Sequence, residues 1–457
     1  MTRSSLSWSD LRGSRVGVWG LGREGMANLR KLQALGAAFV LVDDRPPAAD
    51  VGGVPVIATA AGGAEALERC DVVVKTPGIS RYRPEVTRLE QLGVPVTGGL
   101  GLWFHEARPD RVVCVTGTKG KSTVVSIAGH LMTRLGYRCL VGGNIGQPPY
   151  DPETEAEPWD YWVIEVSSYQ ALDLASSPPV VGVTSLHPDH VPWHDGVENY
   201  FRDKLSLCSL PGADLTIANG DSDLIRERSG LLGPRIEWVH AADEPEATWM
   251  RPLGLLGEHN RRNALIARHC LIALGIREAA DDAAMDKAAH GYQLLPSRLQ
   301  IIGDVRGVTF VDDSLSTNVL PTVAALDAFD GRRVALIVGG QDRGIDYTPL
   351  AVALSQRIAP TYLLTLPDSG PRIHAEVEAA TRAAVRPAST LTGVVDCPDL
   401  GAAVKVGFDW AQPDGIVLLS PAAPSFGAFK DYRDRAEAFS RAVRALSSRD
   451  RGSKLPS

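Results

Sequence analysis

Short runs of consecutive apolar residues, each closed by glycine or a small polar cluster, recur along this chain. They alternate with stretches in which apolar positions fall three and four residues apart. Residues 15–18, 38–42, 71–74, 161–165, 180–184, 215–219, 309–312, 334–338, 362–365 and 416–420 read as strands of buried sheets. Residues up to Leu35, 124–135 and 257–274 carry the helical spacing. This alternation predicts an α/β fold with mostly parallel sheets and ligands at the strand carboxyl ends. The breaks divide the chain into a Rossmann-like domain over 1–107, a P-loop ATPase-like parallel sheet over 108–296 and a second Rossmann-like domain over 297–450. Residues 451–457 form a tail, and the polar stretch after Arg444 is expected to fray.

Composition narrows the class without fixing it. A chain of 457 residues is too long for one core. Its 44% hydrophobic and 22% charged content is that of a globular protein. It has no apolar run of about 18 residues and no apolar leader, so the expectation is a cytoplasmic protein that does not touch a membrane. Six scattered cysteines with no paired spacing read as reduced, packed thiols. The net charge of −7 and the lack of a basic tract argue against nucleic acid as a partner.

The densest chemistry lies in Gly117-Thr-Lys-Gly-Lys-Ser-Thr123, between an apolar strand and a helix. A glycine turn at a helix N-terminus turns backbone N–H groups towards an anion. Lys121 adds a cation that reaches the β and γ phosphates, and the Ser122 hydroxyl can hold Mg²⁺. The full Walker spacing is not met, because its first glycine would fall on Val115. Near the start, Gly20-Leu-Gly-Arg-Glu-Gly25 is a GxGxxG turn followed about 20 residues later by Asp43, which by itself points to a dinucleotide. Glu165 and His190 each end or follow a strand in the phosphate-loop domain, where a carboxylate and an imidazole could hold a metal beside ATP phosphates. Lys204, four residues after Tyr200 on a helix, reads on its own as a solvated surface lysine. His187 and His194 lack cysteine companions and regular spacing, and are not read as a zinc site.

Placed in order, these stretches resemble the Mur ligases, ATP-dependent amide-forming enzymes of peptidoglycan precursor synthesis. The resemblance rests on 117–123, Gly143-Asn-Ile-Gly146, Glu165-Val-Ser-Ser-Tyr-Gln170, Asp189-His190, Gly257-Glu-His-Asn-Arg-Arg-Asn263, Asp312-Asp-Ser-Leu-Ser-Thr-Asn318 and Leu419-Ser-Pro-Ala-Ala-Pro-Ser-Phe426. It implies that the first domain holds the UDP of the substrate rather than a dinucleotide, with Asp43 and Arg45 at the uracil and Thr76 and Gly78 beside the diphosphate. Asn144, Ser167 and Gln170 would touch the muramoyl part. Gly117, Thr118, Lys119, Gly120, Lys121, Ser122 and Thr123 would cradle ATP, with Asn263, Arg298 and Asp313 at adenine, phosphate and ribose. The resemblance also promotes Lys204, which matches a family lysine carried as an N-carbamate. Ser122, Glu165, His190 and Lys204 then form the Mg²⁺ set, and Lys121, Glu165, His190 and Lys204 the catalytic set.

The last two stretches resemble the glutamate-adding members acting on UDP-N-acetylmuramoyl-L-alanine. Thr317, Arg343, Ser425 and Tyr432 are expected to bind the amino acid, since arginine suits a planar carboxylate. Leu315, Ser316, Pro424, Gly427, Tyr432 and Ala436 depart from the D-glutamate pattern, and Arg298 follows Ser297 rather than the usual His. Pro192 replaces an aspartate usual after Asp189-His190-Val191. The opening 19–25 and the Asp-Ser-x-Ser-Thr stretch 313–317 are similar to a branch that attaches L-glutamate, whose product a separate epimerase inverts. L-glutamate is therefore expected, D-glutamate is the alternative, and a monomer is expected. Rival readings are a nicotinamide- or flavin-dependent oxidoreductase, a non-enzymatic nucleotide-regulated switch or transporter subunit, and a folate-type polyglutamate ligase. The first leaves 117–123 unexplained, and the last does not need the N-terminal nucleotide domain.

Overall fold

The computed structural model describes residues 5–245, 247–383 and 390–449. Its first sheet comprises β1 (Arg15–Trp19), β2 (Ala38–Asp43), β3 (Val56–Ala58), β4 (Val72–Lys75) and β5 (Val96–Gly98), in the order β3-β2-β1-β4-β5. All four pairings are parallel. The strand order reverses between β1 and β4, so the crevice at their carboxyl ends is where such sheets bind ligands. Two turns meet there at close range. Gly20 has φ +90°, and a Cβ on it would lie 2.2 Å from Thr76 Oγ1; a Cβ on Gly25 would lie 1.9 Å from the Gly20 carbonyl oxygen. Glycine is required at both positions, and the turn leads directly into the helix Arg23–Leu35.

The second sheet comprises β6 (Val112–Thr116), β7 (Cys139–Gly143), β8 (Tyr161–Glu165), β9 (Val180–Val183), β10 (Leu215–Asn219) and β11 (Arg235–Val239), ordered β11-β10-β9-β6-β8-β7 and parallel throughout. β6 is buried along its whole length and flanked by β8 and β9. The phosphate loop therefore has the end of β8, with Glu165, on one side and the segment after β9 on the other.

The third sheet comprises β12 (Gln300–Val305), β13 (Val308–Asp312), β14 (Val334–Val338), β15 (Thr361–Thr365), β16 (Leu391–Asp396) and β17 (Ile416–Leu419), ordered β12-β13-β17-β14-β15-β16. Only the β12–β13 pair is antiparallel.

Packing groups the chain into two compact units, Met1–Leu253 with Asn260–Tyr292, and Gly254–His259 with Gln293–Ser457. The first two sheets share a unit because one apolar cluster, including Trp8, Leu29, Leu100, Val112, Tyr150 and Val166, runs through both. The third sheet has its own clusters around Leu336 and Phe310.

Three sequence expectations need correction. The last helix, Tyr432–Arg449, continues past Arg444 instead of fraying there. The helix after the phosphate loop begins at Lys121 rather than Val124. β3, β5, β11, β12 and β16 have no counterpart in the sequence reading. β3 and β5 span three residues each, and β11, β12 and β16 are only partly buried, so their apolar pattern is weak. The tail 451–457 lies outside the described residues. Among those residues no helix is long and apolar enough to cross a membrane.

Candidate active site

The phosphate loop is built around two glycines that no other residue could replace. A Cβ on Gly117 (φ +134°) would lie 2.2 Å from Thr184 Oγ1, and one on Gly120 (φ +89°) 2.8 Å from Asn263 Oδ1. The turn thus brings Asn263, far away in sequence, against the loop. The Thr118 N–H donates to the Ser185 carbonyl and the Lys119 N–H to Ser185 Oγ, both at 2.8 Å. Those two N–H groups are therefore held by protein, and the row offered to an anion is shorter than the sequence suggests. Thr118 Oγ1 pairs with Tyr200 Oη at 2.8 Å, and Lys119 Nζ lies 3.1 Å from Asp189 Oδ2. Lys121 Nζ donates to the Gly117 and Thr118 carbonyls at 2.8 and 3.0 Å, so its ammonium lies over its own loop. Ser122 and Thr123 are buried in the first helical turn.

Glu165 and Lys204 flank this loop below the surface. Glu165 is 1% exposed. Its Oε1 accepts from Asn144 Nδ2 at 2.7 Å, whereas its Oε2 is buried with no hydrogen-bond partner. A buried carboxylate oxygen left unpaired costs about 1–3 kcal/mol or more, so it calls for a ligand. Gly143 (φ +98°) lacks the side chain that would strike the Glu165 carbonyl, and this lets the Asn144 N–H donate to that carbonyl at 2.9 Å. Lys204 is 3% exposed, donates to the Gly117 carbonyl at 3.0 Å and lies 5.0 Å from the Tyr200 ring centre. The solvated-surface reading of Lys204 taken alone is therefore wrong. Burial, with Lys121 and Lys119 nearby, holds its ammonium pKa well below the usual lysine value.

His190 stands in a left-handed turn (φ 53°), largely exposed, with its ring 5.2 Å from Tyr169. Among the described residues no three His, Cys, Asp or Glu side chains gather as a metal group. The expected set has only two of these types, Glu165 and His190. His194 is fully buried, held between Ser168 Oγ at 2.9 Å and Asp203 Oδ2 at 2.7 Å.

On the first sheet, both Asp43 oxygens are occupied by backbone: Oδ2 accepts from Leu21 N at 2.7 Å and Oδ1 from Arg45 N at 2.8 Å. The carboxylate thus ties the glycine turn to the segment carrying exposed Arg45. The turn holding Thr76 and Gly78 is fastened to the second sheet. Trp193 Nε1 donates to the Gly78 carbonyl at 3.2 Å, and Ser80 Oγ donates to the Trp193 carbonyl at 2.9 Å. Pro192 lies in the short turn Val191–Trp193, which presents the Trp193 ring to stack on Tyr169 at 4.2 Å. Ser167 and Gln170 cap the helix Ser168–Ala171 reciprocally, with Ser167 N donating to Gln170 Oε1 at 2.9 Å and Gln170 N to Ser167 Oγ at 3.2 Å. Beneath them Asp173 accepts from Lys75 Nζ at 2.5 Å and Arg81 Nε at 2.7 Å, with all three side chains buried. Nothing in the sequence marks these three residues, because their burial arises only when the two sheets meet.

The second unit gathers the remaining candidates. Asp313 Oδ1 accepts from Leu299 N at 3.1 Å, and Oδ2 from Ser316 Oγ at 2.5 Å and Ser420 Oγ at 2.7 Å. Ser316, one of the departures noted in the sequence, thus serves Asp313. Burial pushes the Asp313 carboxyl up to about 7. Arg298 sits between Ser297 and Leu299, both at positive φ. Arg435, fully buried and unmarked in the sequence, donates to the Ser314 and Ala423 carbonyls at 2.8 and 3.1 Å. It so joins the segments carrying half-buried Thr317 and buried Ser425. Arg343 is exposed, with Nε on Gln341 Oε1 at 2.9 Å and its guanidinium 5.6 Å from the Phe426 ring. Tyr432 opens the last helix and accepts from Arg433 Nε at 3.2 Å.

Known proteins match most of this chain. Residues 115–251 match the Mur ligase middle domain and 297–423 the Mur ligase glutamate ligase domain. A UDP-N-acetylmuramoyl-L-alanine--L-glutamate ligase of Micromonospora is 40% identical over 95% of this chain and 98% of its own length. A protein of the same name from Xanthomonas axonopodis is 37% identical over 94% and 95%. Among solved structures, MurF ligase from Thermotoga maritima in complex with ADP superposes with a TM-score of 0.55 at 14% identity, covering 97% of both chains. UDP-N-acetylmuramate-alanine ligase MurC of the same organism gives 0.54 at 16%, covering 94% of this chain and 99% of its own. These two are likenesses of fold. The chain belongs to the Mur ligase family.

Proposed function

We propose that this protein is an ATP-dependent ligase that joins L-glutamate to UDP-N-acetylmuramoyl-L-alanine in peptidoglycan precursor synthesis. The observation that carries the reading is the buried, unpartnered Glu165 Oε2 beside a phosphate loop that also covers a buried lysine. The choice of L-glutamate rests on the names of the full-length relatives. D-glutamate has no comparable support.

Glu165 Oε2, the Ser122 hydroxyl, the His190 imidazole and Lys204 as an N-carbamate would hold Mg²⁺. An orphaned carboxylate oxygen and a buried amine suit that ion once the amine has become an anion. When bound, Mg²⁺ neutralises charge on the ATP phosphates. Lys204, buried and facing Lys121 and Lys119, favours the neutral amine, which adds to CO₂ with loss of one proton. Gly117, Thr118, Lys119, Gly120, Ser122 and Thr123 would cradle ATP, and Lys121 would leave its own loop carbonyls to meet the transferring phosphoryl group. Asn263, held at Gly120, is assigned to adenine. On the second unit Arg298 and Asp313 are assigned to ATP, and Thr317, Arg343, Ser425 and Tyr432 to glutamate. Asp43, Arg45, Thr76, Gly78, Asn144, Ser167 and Gln170 would orient the acceptor.

The acceptor carboxylate attacks the γ-phosphate, forming an acyl phosphate and ADP. The glutamate amine then attacks the acyl carbon, and phosphate leaves. We place the reaction in the cytoplasm, carried out by a monomer, with an epimerase acting on the product. The test supplies purified protein with ATP, Mg²⁺, UDP-N-acetylmuramoyl-L-alanine and each glutamate enantiomer in turn. Phosphate release and a new amide are expected with L-glutamate. Release with D-glutamate alone would end the enantiomer assignment, and release with neither would end the ligase reading.

A further inference from the structure

Arg23 and Glu24 are the adjacent pair among the three variable positions of the GxGxxG turn. The turn's tight closure, fixed by Gly20 and Gly25, aims both side chains out of the first sheet and onto the second. Arg23 Nη2 donates to the Asn144 carbonyl at 2.7 Å and to the Gly143 carbonyl at 3.3 Å. Glu24 Oε1 accepts from Gln170 Nε2 at 2.9 Å. Each contact has a second link. Asn144 in turn fixes Glu165 Oε1, which leaves Oε2 as the oxygen without a partner. Gln170, with its Nε2 turned to Glu24, presents Oε1 to the Ser167 N–H and hydroxyl at 2.9 and 3.0 Å.

From this geometry we infer that Arg23 and Glu24 are a pair of positioning residues. Reaching from the UDP-side turn, they set the Asn144 loop and the Ser167–Gln170 cap in the geometry that receives the muramoyl end of the acceptor. The inference rests on the ligase reading above and extends it to residues that reading leaves idle. Two adjacent side chains govern both arms of the acceptor site, so occupancy of the glycine turn and order in the muramoyl loops are mechanically joined. Glu24 is also faced by Arg23, Lys75, Asp173 and Tyr150, and burial pushes its carboxyl up to about 7. The assignment does not depend on that titration, because either protonation state can accept from the Gln170 amide.

The test measures calorimetric affinity for UDP-N-acetylmuramoyl-L-alanine, together with KM for ATP and for glutamate, in the full chain. The variants are Arg23→Ala, Arg23→Lys, Glu24→Ala and Glu24→Gln. Each alanine variant is expected to weaken acceptor binding about tenfold, the scale of one lost hydrogen bond to a charged group. KM for ATP and glutamate should stay within about twofold. Arg23→Lys and Glu24→Gln keep a donor and an acceptor at similar reach and should recover most of the affinity. Glu24→Ala made in a Gln170→Ala background should add little, because the partner is already gone. Unchanged acceptor affinity in both alanine variants overturns the inference. So does an equal loss for all three substrates, which would indicate general damage to the fold. Wild-type protein that binds the acceptor but forms no amide sinks the ligase reading and leaves the affinity comparison intact. Wild-type protein that does not bind the acceptor overturns both.

Discussion

The two units hold their functional loops by different means. In the first, the loops of two sheets are fastened to each other by charge: Lys75 and Arg81 converge on buried Asp173, Arg30 pairs with buried Asp151, and Arg23 reaches the Asn144 loop. In the second, the loops of a single sheet are held mainly by hydroxyls, Ser316 and Ser420 on Asp313, and by one buried arginine donating to carbonyls. Charges removed from water are costly unless paired, so the buried group at Asp173 breaks abruptly when one partner is lost. Hydroxyls can turn to donate or accept, so the second tolerates change. That contrast suits the proposed roles of the two units, a phosphoryl site that needs fixed geometry in the first and an amino-acid pocket in the second.

The largest effect is expected from Asp173→Ala. It leaves Lys75, 0% exposed, without its carboxylate, and strips Arg81 of one of its two acidic partners. Breaking such a buried pair costs about 3–5 kcal/mol. Calorimetry should show the first unit melting about 10 °C lower, at the usual ~2–4 °C per kcal/mol for a domain of this size. A change under 2 °C would mean that the apolar cluster alone joins the two sheets, and the contrast between the units would fail.

Lys121→Ala should slow turnover by at least ~100-fold, like loss of one transition-state donor. Its melting temperature should move far less than that of Asp173→Ala, because Lys121 donates to two carbonyls of its own loop. Near-normal ATP-dependent turnover would take the phosphate loop out of the chemistry.

What the sequence discloses follows the same division between local and assembled features. β6, β14 and β17 are buried throughout and readable by eye, and so are the glycine turns, because backbone geometry demands glycine there. Half-buried edge strands such as β11 and β12 carry no comparable period. Lone charged residues carry least of all. Lys75, Arg81, Asp173 and Arg435 look like surface residues until the partners that bury them are known, and only a family resemblance marks Lys204. Arg23 and Glu24 lie inside the GxGxxG motif, yet the motif explains only its glycines.

In the second unit, Arg435→Met keeps the volume of the side chain but leaves the Ser314 and Ala423 carbonyls without their donor. The expected loss is about 1–3 kcal/mol. It should appear as a rise of about tenfold in KM for glutamate, with affinity for the UDP-linked acceptor unchanged. An effect on the acceptor instead would reverse the assignment of substrates to units.

The smallest effect separates the two buried carboxyls by pH. Burial raises both Glu24 and Asp313 to about 7, from ordinary values of 4.5 and 3.8. A carboxyl raised in the folded state favours its protonated form. The fold therefore carries no penalty from it below the unfolded value near 4, loses stability as pH rises, and bears the full penalty above 7. The shift bounds the Asp313 penalty at about 4 kcal/mol, and relaxation with water entry should reduce it to about 1 kcal/mol. Asp313→Asn removes the titration. Its melting temperature relative to wild type should therefore climb between pH 4 and pH 7, in the transition of the second unit only. Glu24→Gln should do the same, more weakly, in the first unit, where the carboxylate has Arg23 and Lys75 beside it and partial access to water. If the two variants track wild type in parallel across that range, neither carboxyl is held protonated, and the hydroxyl cage around Asp313 stabilises an anion as firmly as the cations of the first unit do.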